Sequence, residues 1–312
     1  MKVIFHYDAG PLLKRKLEAF RASGLEIIAC PESADDPFQS ELKTAEAIWH
    51  VLKPITAETI RNAPNLKLIQ KIGVGVNTID LDAARSAGVA VCNMPGTNSR
   101  AVAEMTLLLM LSAVRLQPKI DRLCRSGAWV PDEQTRESFS EIAGKTIGLV
   151  GFGSVPQMLA PILRTMGATV IFSARTSHNT DYEQCALSDL IARADIVSLH
   201  IPQTLETTRL FDERLIRSMK PGAIFVNTAR GGLVDEDALR RALEDGHIRS
   251  AGLDVFSQEP VESGNALLGM YQVSLAPHLA WLTNETLERS IEVAVANTLA
   301  IAKGGDLVHR VA

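Results

Sequence analysis

The chain has 312 residues, 46% of them hydrophobic and 22% charged, and a formal net charge of −4. That length exceeds what one hydrophobic core usually supports, so two domains are expected, and the ordinary composition excludes extensive disorder. With 36 acidic residues against 32 basic ones and no basic run to follow a phosphate backbone, the chain does not read as a nucleic-acid binder.

Cys30, Cys92, Cys124 and Cys185 lie far apart and form no C-x-x-C pair, so neither a zinc site nor a disulfide framework is indicated. They read as reduced, buried thiols, and no metal is expected. The opening MKVIFHYDAG has no apolar signal core, and Met105 to Val114, the most apolar later stretch, is too short to span a bilayer. A cytoplasmic protein with no membrane contact is expected.

In chain order, short apolar runs alternate with amphipathic segments. Lys2 to Tyr7, Glu26 to Ala29, Ala47 to Val51, Leu66 to Lys71 and Val89 to Val91 read as buried strands. Helical patterns over Pro11 to Ala22 and Asp80 to Ala87 end near Gly24 and Gly88. A long apolar helix begins near Ser99 after the turn-forming PGTN, and Arg125 to Gly144 reads as irregular. The alternation then restarts with strands at Thr146 to Val150, Thr169 to Phe172, Ile196 to His200, Ala223 to Asn227, Ser250 to Asp254 and Gln272 to Leu275. A final helix, Asn284 to Lys303, has no strand after it and is expected to pack back on the first domain.

The segment TIGLVGFGSVPQMLAPILRTMGATVIF is a strand, a glycine turn, a helix and a second strand, the context a dinucleotide fingerprint requires. Gly151 permits the tight turn, and Gly153 lets backbone amides approach a pyrophosphate at a helix start. Pro156 occupies the place of the third glycine, and Pro161 should bend the same helix by removing a hydrogen bond. A glycine turn that binds nothing is the plain alternative.

The second strand of such a unit normally ends in a carboxylate that accepts hydrogen bonds from the adenosine ribose. Here that place, 174 − 151 = 23 residues on, holds Ala174, followed by Arg175, Thr176 and Ser177. Removing the anion and supplying a guanidinium with nearby hydroxyls, Ser173 included, suits a 2′-phosphate, so NADP(H) is expected over NAD(H). An exposed loop arginine beside a site that still takes NAD is the alternative.

Three further segments follow in order: VNTARGGLVDEDAL with Arg230, LDVFSQEP with Glu259, and APHLAW with His278. Together with KIGVGVNTID, PGTNSRAVAE and the intervals 259 − 230 = 29 and 278 − 259 = 19, they make the chain resemble the D-isomer-specific 2-hydroxyacid dehydrogenases over nearly its whole length. That family includes glyoxylate and hydroxypyruvate reductases, glycerate dehydrogenases and 3-phosphoglycerate dehydrogenases.

Hydride arriving at a keto carbon leaves an alkoxide that must be protonated, and an imidazolium that titrates near neutrality suits that transfer, which makes His278 the candidate acid. A carboxylate on the far ring nitrogen fixes the tautomer and holds the ring protonated, and the resemblance assigns this to Glu259. Arg230 supplies a planar cation that can grip a substrate carboxylate and polarise the keto oxygen. Taken singly, these three would read as a surface ion-pair partner, a turn residue before Pro260 and a loop histidine; their joint order favours the catalytic set.

The resemblance also implies that the amides of Val74 and Gly75 anchor the substrate carboxylate. Trp281 either lines the pocket or packs between domains. Cofactor contacts are implied at Val102, at Gly151, Phe152, Gly153, Ser154 and Val155, and at Ser173, Ala174, Arg175 and Thr176. Others are implied at Ile201, Pro202, Thr228, Ala229, Arg230, Asp254, His278 and Ala280. His200 ends a strand at the edge where cofactors sit, so it reads equally as cofactor-lining or as a simple strand end. His6, His50, His178, His247 and His309 have no such context and read as structural.

The expected fold is α/β with two Rossmann-like parallel-sheet domains: a flavodoxin-like substrate domain over 1–97 and 285–312, and an inserted dinucleotide-binding domain over 98–284. The expected active site lies in the cleft between them. By resemblance the assembly is a homodimer, with Ser99 to Ser140 as its contact, although the Met105 to Val114 stripe could equally be buried within one subunit. The expected reaction is hydride transfer between NAD(P)H and a small 2-keto acid, of the glyoxylate or hydroxypyruvate reductase type. The alternatives are a 3-phosphoglycerate dehydrogenase-like enzyme, a phosphite dehydrogenase-like enzyme and a dinucleotide-sensing, corepressor-like scaffold.

Overall fold

Every pairing between strands in the computed structural model, which describes residues 1–312, is parallel. Parallel strands are covered by helices on both faces, which is why they read in the sequence as unbroken apolar runs. The chain divides into two units, Met1–Asn98 with Thr283–Ala312, and Ser99–Leu282.

The first unit runs β1 (Lys2–His6), α1 (Pro11–Glu18), β2 (Glu26–Cys30), α2 (Asp35–Leu42), β3 (Ala47–His50), α3 (Ala57–Arg61), β4 (Leu68–Lys71), α4 (Leu81–Ser86) and β5 (Ala90–Cys92). Its sheet has the order β2-β1-β3-β4-β5, the flavodoxin-like arrangement. Helices α3 and α4 start where the sequence supplies caps: Thr56 accepts from the Thr59 amide and Asp80 from the Ala83 amide. The pattern over Pro11 to Ala22 splits, with a 3₁₀ turn over Ala19–Ser23 following α1 and ending at Gly24, whose φ is 81°.

The second unit opens with α5 (Ser99–Arg115), α6 (Gln117–Arg125) and α7 (Glu133–Glu137), then β6 (Thr146–Val150), α8 (Ser154–Thr165), β7 (Thr169–Ser173), β8 (Glu183–Gln184), α9 (Leu187–Arg193), β9 (Ile196–Leu199), α10 (Glu213–Arg217), β10 (Ala223–Asn227), α11 (Glu236–Glu244), β11 (Ile248–Leu253) and β12 (Val273–Leu275). Its sheet order, β12-β11-β10-β9-β6-β7-β8, is the doubly wound 3-2-1-4-5-6 pattern with one strand added. The last helix, α12 (Asn284–Ala302), returns to the first unit. There Thr298 Oγ1 accepts a hydrogen bond from the Trp49 indole at 3.0 Å, and Asn297 donates to Gln70 Oε1 at 2.7 Å.

Several local expectations are refined. The stretch from Arg125 to Gly144 contains α7, which Asp132 caps by accepting from the Thr135 amide at 2.8 Å. Cys30 and Cys92 are buried, but Cys185 is half-buried and Cys124 is exposed, because Cys124 lies on α6, a helix that buries none of its side chains. Proline at 161 leaves α8 continuous, and Pro156 is buried in its first turn, where a missing N–H has no intrahelical partner to lose. The apolar stripe of α5 lies in the second unit's own core, with Leu109, Met110, Ala113 and Val114 buried. No single helix is long and apolar enough to cross a membrane; α5 and α6 pass together by length and composition but meet at 66°.

Candidate active site

Between β6 and α8 only Gly151, Phe152 and Gly153 remain to turn the chain. Gly151 has a φ of 99°, and a Cβ there would lie 2.5 Å from the His200 carbonyl oxygen, so only glycine fits. Phe152 is buried and stacks on Phe172 of β7 at 3.9 Å, which pins the turn to the sheet. Gly153 precedes the first turn of α8 without any side-chain cap, and the space its Cβ would take is open. The first amides of α8, from Ser154 and Val155 onward, are therefore open to an anion, and these residues fit a dinucleotide pyrophosphate.

Where β7 ends, Ser173 and Ala174 are half-buried while Arg175 and Thr176 are exposed. The Gln184 amide donates to the carbonyls of both Ala174 and Thr176 at 3.1 Å, which holds this loop in shape. Arg175 takes part in no ion pair. After β9, the His200 ring lies 3.0 Å from Ser198 Oγ, and burial pushes its pKa down to about 4, so it is neutral at pH 7. Ile201 is half-buried and Pro202 exposed.

The loop after β10 is built by Asn227, a residue the sequence reading did not single out. Its side chain accepts from the Ala229 amide at 3.0 Å and donates to the Arg230 carbonyl at 2.9 Å. A buried asparagine closing a strand before a turn is the available signal, since its side chain can mimic a backbone turn. Thr228 shares a hydroxyl hydrogen bond of 2.8 Å with Thr106, whose own hydroxyl donates to the Val102 carbonyl at 2.7 Å. The backbone after Arg230 lies directly on the segment leading to Glu259. A Cβ on Gly231 would fall 1.8 Å from the Phe256 carbonyl carbon.

Glu259 Oε1 accepts the Phe256 amide at 2.8 Å, and Glu259 Oε2 stands 2.5 Å from His278 Nδ1. Burial works to raise the Glu259 pKa, but the His278 hydrogen bond and charge, the Phe256 amide and the Arg230 guanidinium together hold it below the usual carboxylate value. Arg230 donates from Nη1 to the Ala229 carbonyl at 2.6 Å. Burial draws its pKa down, and the charge of Glu259 opposes that.

His278 adopts a left-handed φ of 55°, uncommon outside glycine. Asp254, 1% exposed, imposes it. Its carbonyl accepts the His278 amide at 2.7 Å, and its carboxylate accepts the amides of Leu279 at 2.8 Å and Ala280 at 3.1 Å. Asp254, expected only as a cofactor contact, thus positions the histidine loop. Burial leads the causes that raise its pKa. Trp281 is buried beside this loop.

The structure therefore brings Arg230, Asp254, Glu259, His278 and Ala280 together in the second unit. Val74 and Gly75 belong to the first unit, in a turn where Asn93 donates to the Val74 carbonyl at 2.9 Å.

A doubly wound parallel sheet whose uncapped glycine turn starts a helix, with a carboxylate–imidazole pair farther along the same unit, defines the dinucleotide-binding class of α/β proteins. Residues 107–280 match the family described as D-isomer specific 2-hydroxyacid dehydrogenase, NAD binding domain, and the chain belongs to that family. It is 41% identical over 261 residues to D-3-phosphoglycerate dehydrogenase of Mycobacterium bovis, which covers 81% of this chain and 48% of that relative. Glyoxylate reductase of Thermococcus litoralis is 36% identical over 263 residues, covering 81% of this chain and 79% of the relative. The chain thus spans about half the length of the first of these curated relatives and most of the second. Among solved structures, the TT0316 protein from Thermus thermophilus superposes with a TM-score of 0.91 at 34% identity, over 100% of both chains.

Proposed function

We propose that the chain is a dehydrogenase that moves a hydride between NADP(H) and the 2-position of a small 2-keto or D-2-hydroxy acid, of the glyoxylate or hydroxypyruvate reductase type. The single observation that carries this reading is the 2.5 Å contact of Glu259 with His278 Nδ1, in the unit that also holds the glycine turn. When bound, the dinucleotide supplies the hydride. With Nδ1 engaged by Glu259, Nε2 of His278 is the nitrogen that hands a proton to the alkoxide formed from the keto oxygen. Arg230 polarises that oxygen beforehand and grips the substrate carboxylate through its planar fork. The amides of Val74 and Gly75 are assigned to substrate binding, and the α8 amides to the pyrophosphate.

The preference for NADP(H) rests on Ala174 and the unpaired Arg175. A second reading, a 3-phosphoglycerate dehydrogenase-like substrate, is favoured by the identity to the mycobacterial relative. A homodimer is supported by the exposure of Trp129 at 85% and Val130 at 69% within the segment expected to form its contact. Residence in the cytoplasm completes the reading.

The test is a panel of glyoxylate, hydroxypyruvate, pyruvate, phenylpyruvate and 3-phosphohydroxypyruvate against both reduced cofactors. Turnover of glyoxylate and hydroxypyruvate is expected. Turnover of the phosphorylated acid alone would establish the second reading, and no turnover of any would leave a binding protein.

A further inference from the structure

Three side chains with metal-ligand chemistry meet in the first unit, at the carboxyl edge of its sheet. His6 is the last residue of β1 and His50 the last of β3, and the two are register partners on adjacent parallel strands. They therefore point to the same face. Glu32 follows β2, the other neighbour of β1. The strand order β2-β1-β3 reverses direction at β1, so the two histidines flank the topological switch point, the place where open α/β sheets hold ligands.

His6 is 1% and His50 0% exposed, yet neither ring nitrogen of His6 nor Nδ1 of His50 has a hydrogen-bond partner. Buried polar atoms are almost always paired, so three unpaired imidazole nitrogens in one place call for an occupant. Each ring is already oriented. His6 stacks on Phe38 with ring centroids 4.0 Å apart, and His50 Nε2 lies 2.7 Å from Thr78 Oγ1, which leaves Nδ1 for the site. Glu32 Oε1 accepts the amides of Leu52 at 2.7 Å and Lys53 at 2.6 Å, fixing its carboxylate. Such outer hydrogen bonds are how proteins aim histidine and carboxylate ligands at a metal.

We propose that His6, Glu32 and His50 form a site for one zinc-class divalent ion, with a water in the fourth position. One ligand atom from each residue lies within 4.8 Å of the others. Tetrahedral bonds of 2.0–2.1 Å need edges of about 3.3 Å, a closure within reach of small side-chain rotations. Two imidazoles and one carboxylate suit zinc, cobalt or nickel, whereas magnesium and calcium take oxygen ligands.

Among the charges around the site, Lys53 donates to the Asp35 carboxylate and the Glu32 carbonyl, and Lys71 donates to the Val51 carbonyl. Burial, with Lys53, pushes the His6 pKa down to about 4, and burial, with Lys71, puts His50 well below its ordinary value. The ion would tie the ends of β1 and β3 to the turn after β2. No ligand spacing announces it, because the three residues come from separate strand ends. The proposal is independent of the dehydrogenase reading.

The test uses the full untagged chain, stripped with chelator and dialysed against zinc, cobalt or magnesium. One zinc per chain is expected by elemental analysis. A cobalt spectrum of four-coordinate nitrogen–oxygen type and a raised unfolding midpoint are expected with the ion, but no effect of magnesium. Glu32→Gln keeps an acceptor for the two amides and removes the anionic ligand, and His6→Phe keeps a ring against Phe38. Each should weaken zinc binding more than about a hundredfold, beyond the ten- to hundredfold that outer partners control. Cys124→Ser should change nothing, since its exposed thiol is outside the site. Absence of retained zinc in the wild type, or equal retention by folded Glu32→Gln and His6→Phe, overturns the proposal. If either variant fails to fold, a wild-type cobalt spectrum with a thiolate band overturns it equally.

Discussion

Asp254 and Ala280 are joined by both carboxylate oxygens of the aspartate, with the Ala280 amide 3.2 Å from Oδ1 and 3.1 Å from Oδ2. This contact, with the Leu279 amide at 2.8 Å, fixes the backbone beside His278 in its left-handed conformation. Asp254→Ala would leave two amides unpaired, each costing roughly 1–3 kcal/mol when buried. We expect a lowered unfolding midpoint together with a lower kcat, because the imidazole loses its fixed position. Asp254→Asn keeps one acceptor and should lie between alanine and wild type on both measures. An alanine variant as active and stable as wild type would remove Asp254 from this positioning role.

On the proposed function, the Glu259–His278 pair is expected to set the pH dependence. Reduction needs a protonated donor, so its rate should fall as pH rises past neutrality. Glu259, held below the usual carboxylate value, is anionic across that range and favours the charged ring. Glu259→Gln removes the anion, so the fall should move to lower pH, read from kcat/KM profiles. An unshifted profile would exclude Glu259 from the role. His278→Ala should lower the reductive rate by roughly a hundred- to ten-thousandfold, the range for a general acid, with cofactor affinity changing far less.

Arg230→Lys preserves charge but not the planar fork, and the shorter reach of its ammonium cannot replace two-point contact with a carboxylate. We expect a loss in kcat/KM of at least about tenfold. A lysine variant matching wild type would make Arg230 structural.

Dimer formation can be checked at Trp129, 85% exposed in the segment assigned to the contact. Trp129→Ser should weaken association measured by sedimentation or light scattering, leaving the far-UV spectrum unchanged. A monomeric wild type removes the dimer.

Much of this was legible because it depends on local pattern. Apolar runs such as AIWH and AIFVN are continuous because parallel strands are covered on both faces, and Gly24 and Gly88 end their segments through left-handed backbone. The order of Arg230, Glu259 and His278 could be read, since each lies in a distinctive short segment. What could not be read depends on distance in space. Asp254 reaches across to Leu279 and Ala280, Asn227 folds back on its own loop, and His6, Glu32 and His50 converge only once three strands pair in register. Helix α7 was hidden for a different reason: it is five residues long and buries only Thr135, too little to print an apolar stripe.

On the proposed function, cofactor preference is expected to be decided at the end of β7. Ala174 removes the carboxylate that would accept the ribose hydroxyl, while Arg175 and Thr176 are exposed on a loop that Gln184 holds at the carbonyls of residues 174 and 176. If one charge-assisted contact with a 2′-phosphate contributes about 1.5 to 3 kcal/mol, NADPH should be favoured roughly ten- to a hundredfold, with solvent exposure acting to reduce that. The double change Ala174→Asp with Arg175→Ala restores a ribose acceptor and places an anion against the phosphate, so it should reverse the preference. The measurement is kcat/KM with NADH and NADPH on one accepted keto acid, for both proteins. Equal efficiencies in the wild type, or a preference for NADH, would mean that Arg175 makes no contact with the phosphate and that Ala174 alone does not exclude NAD.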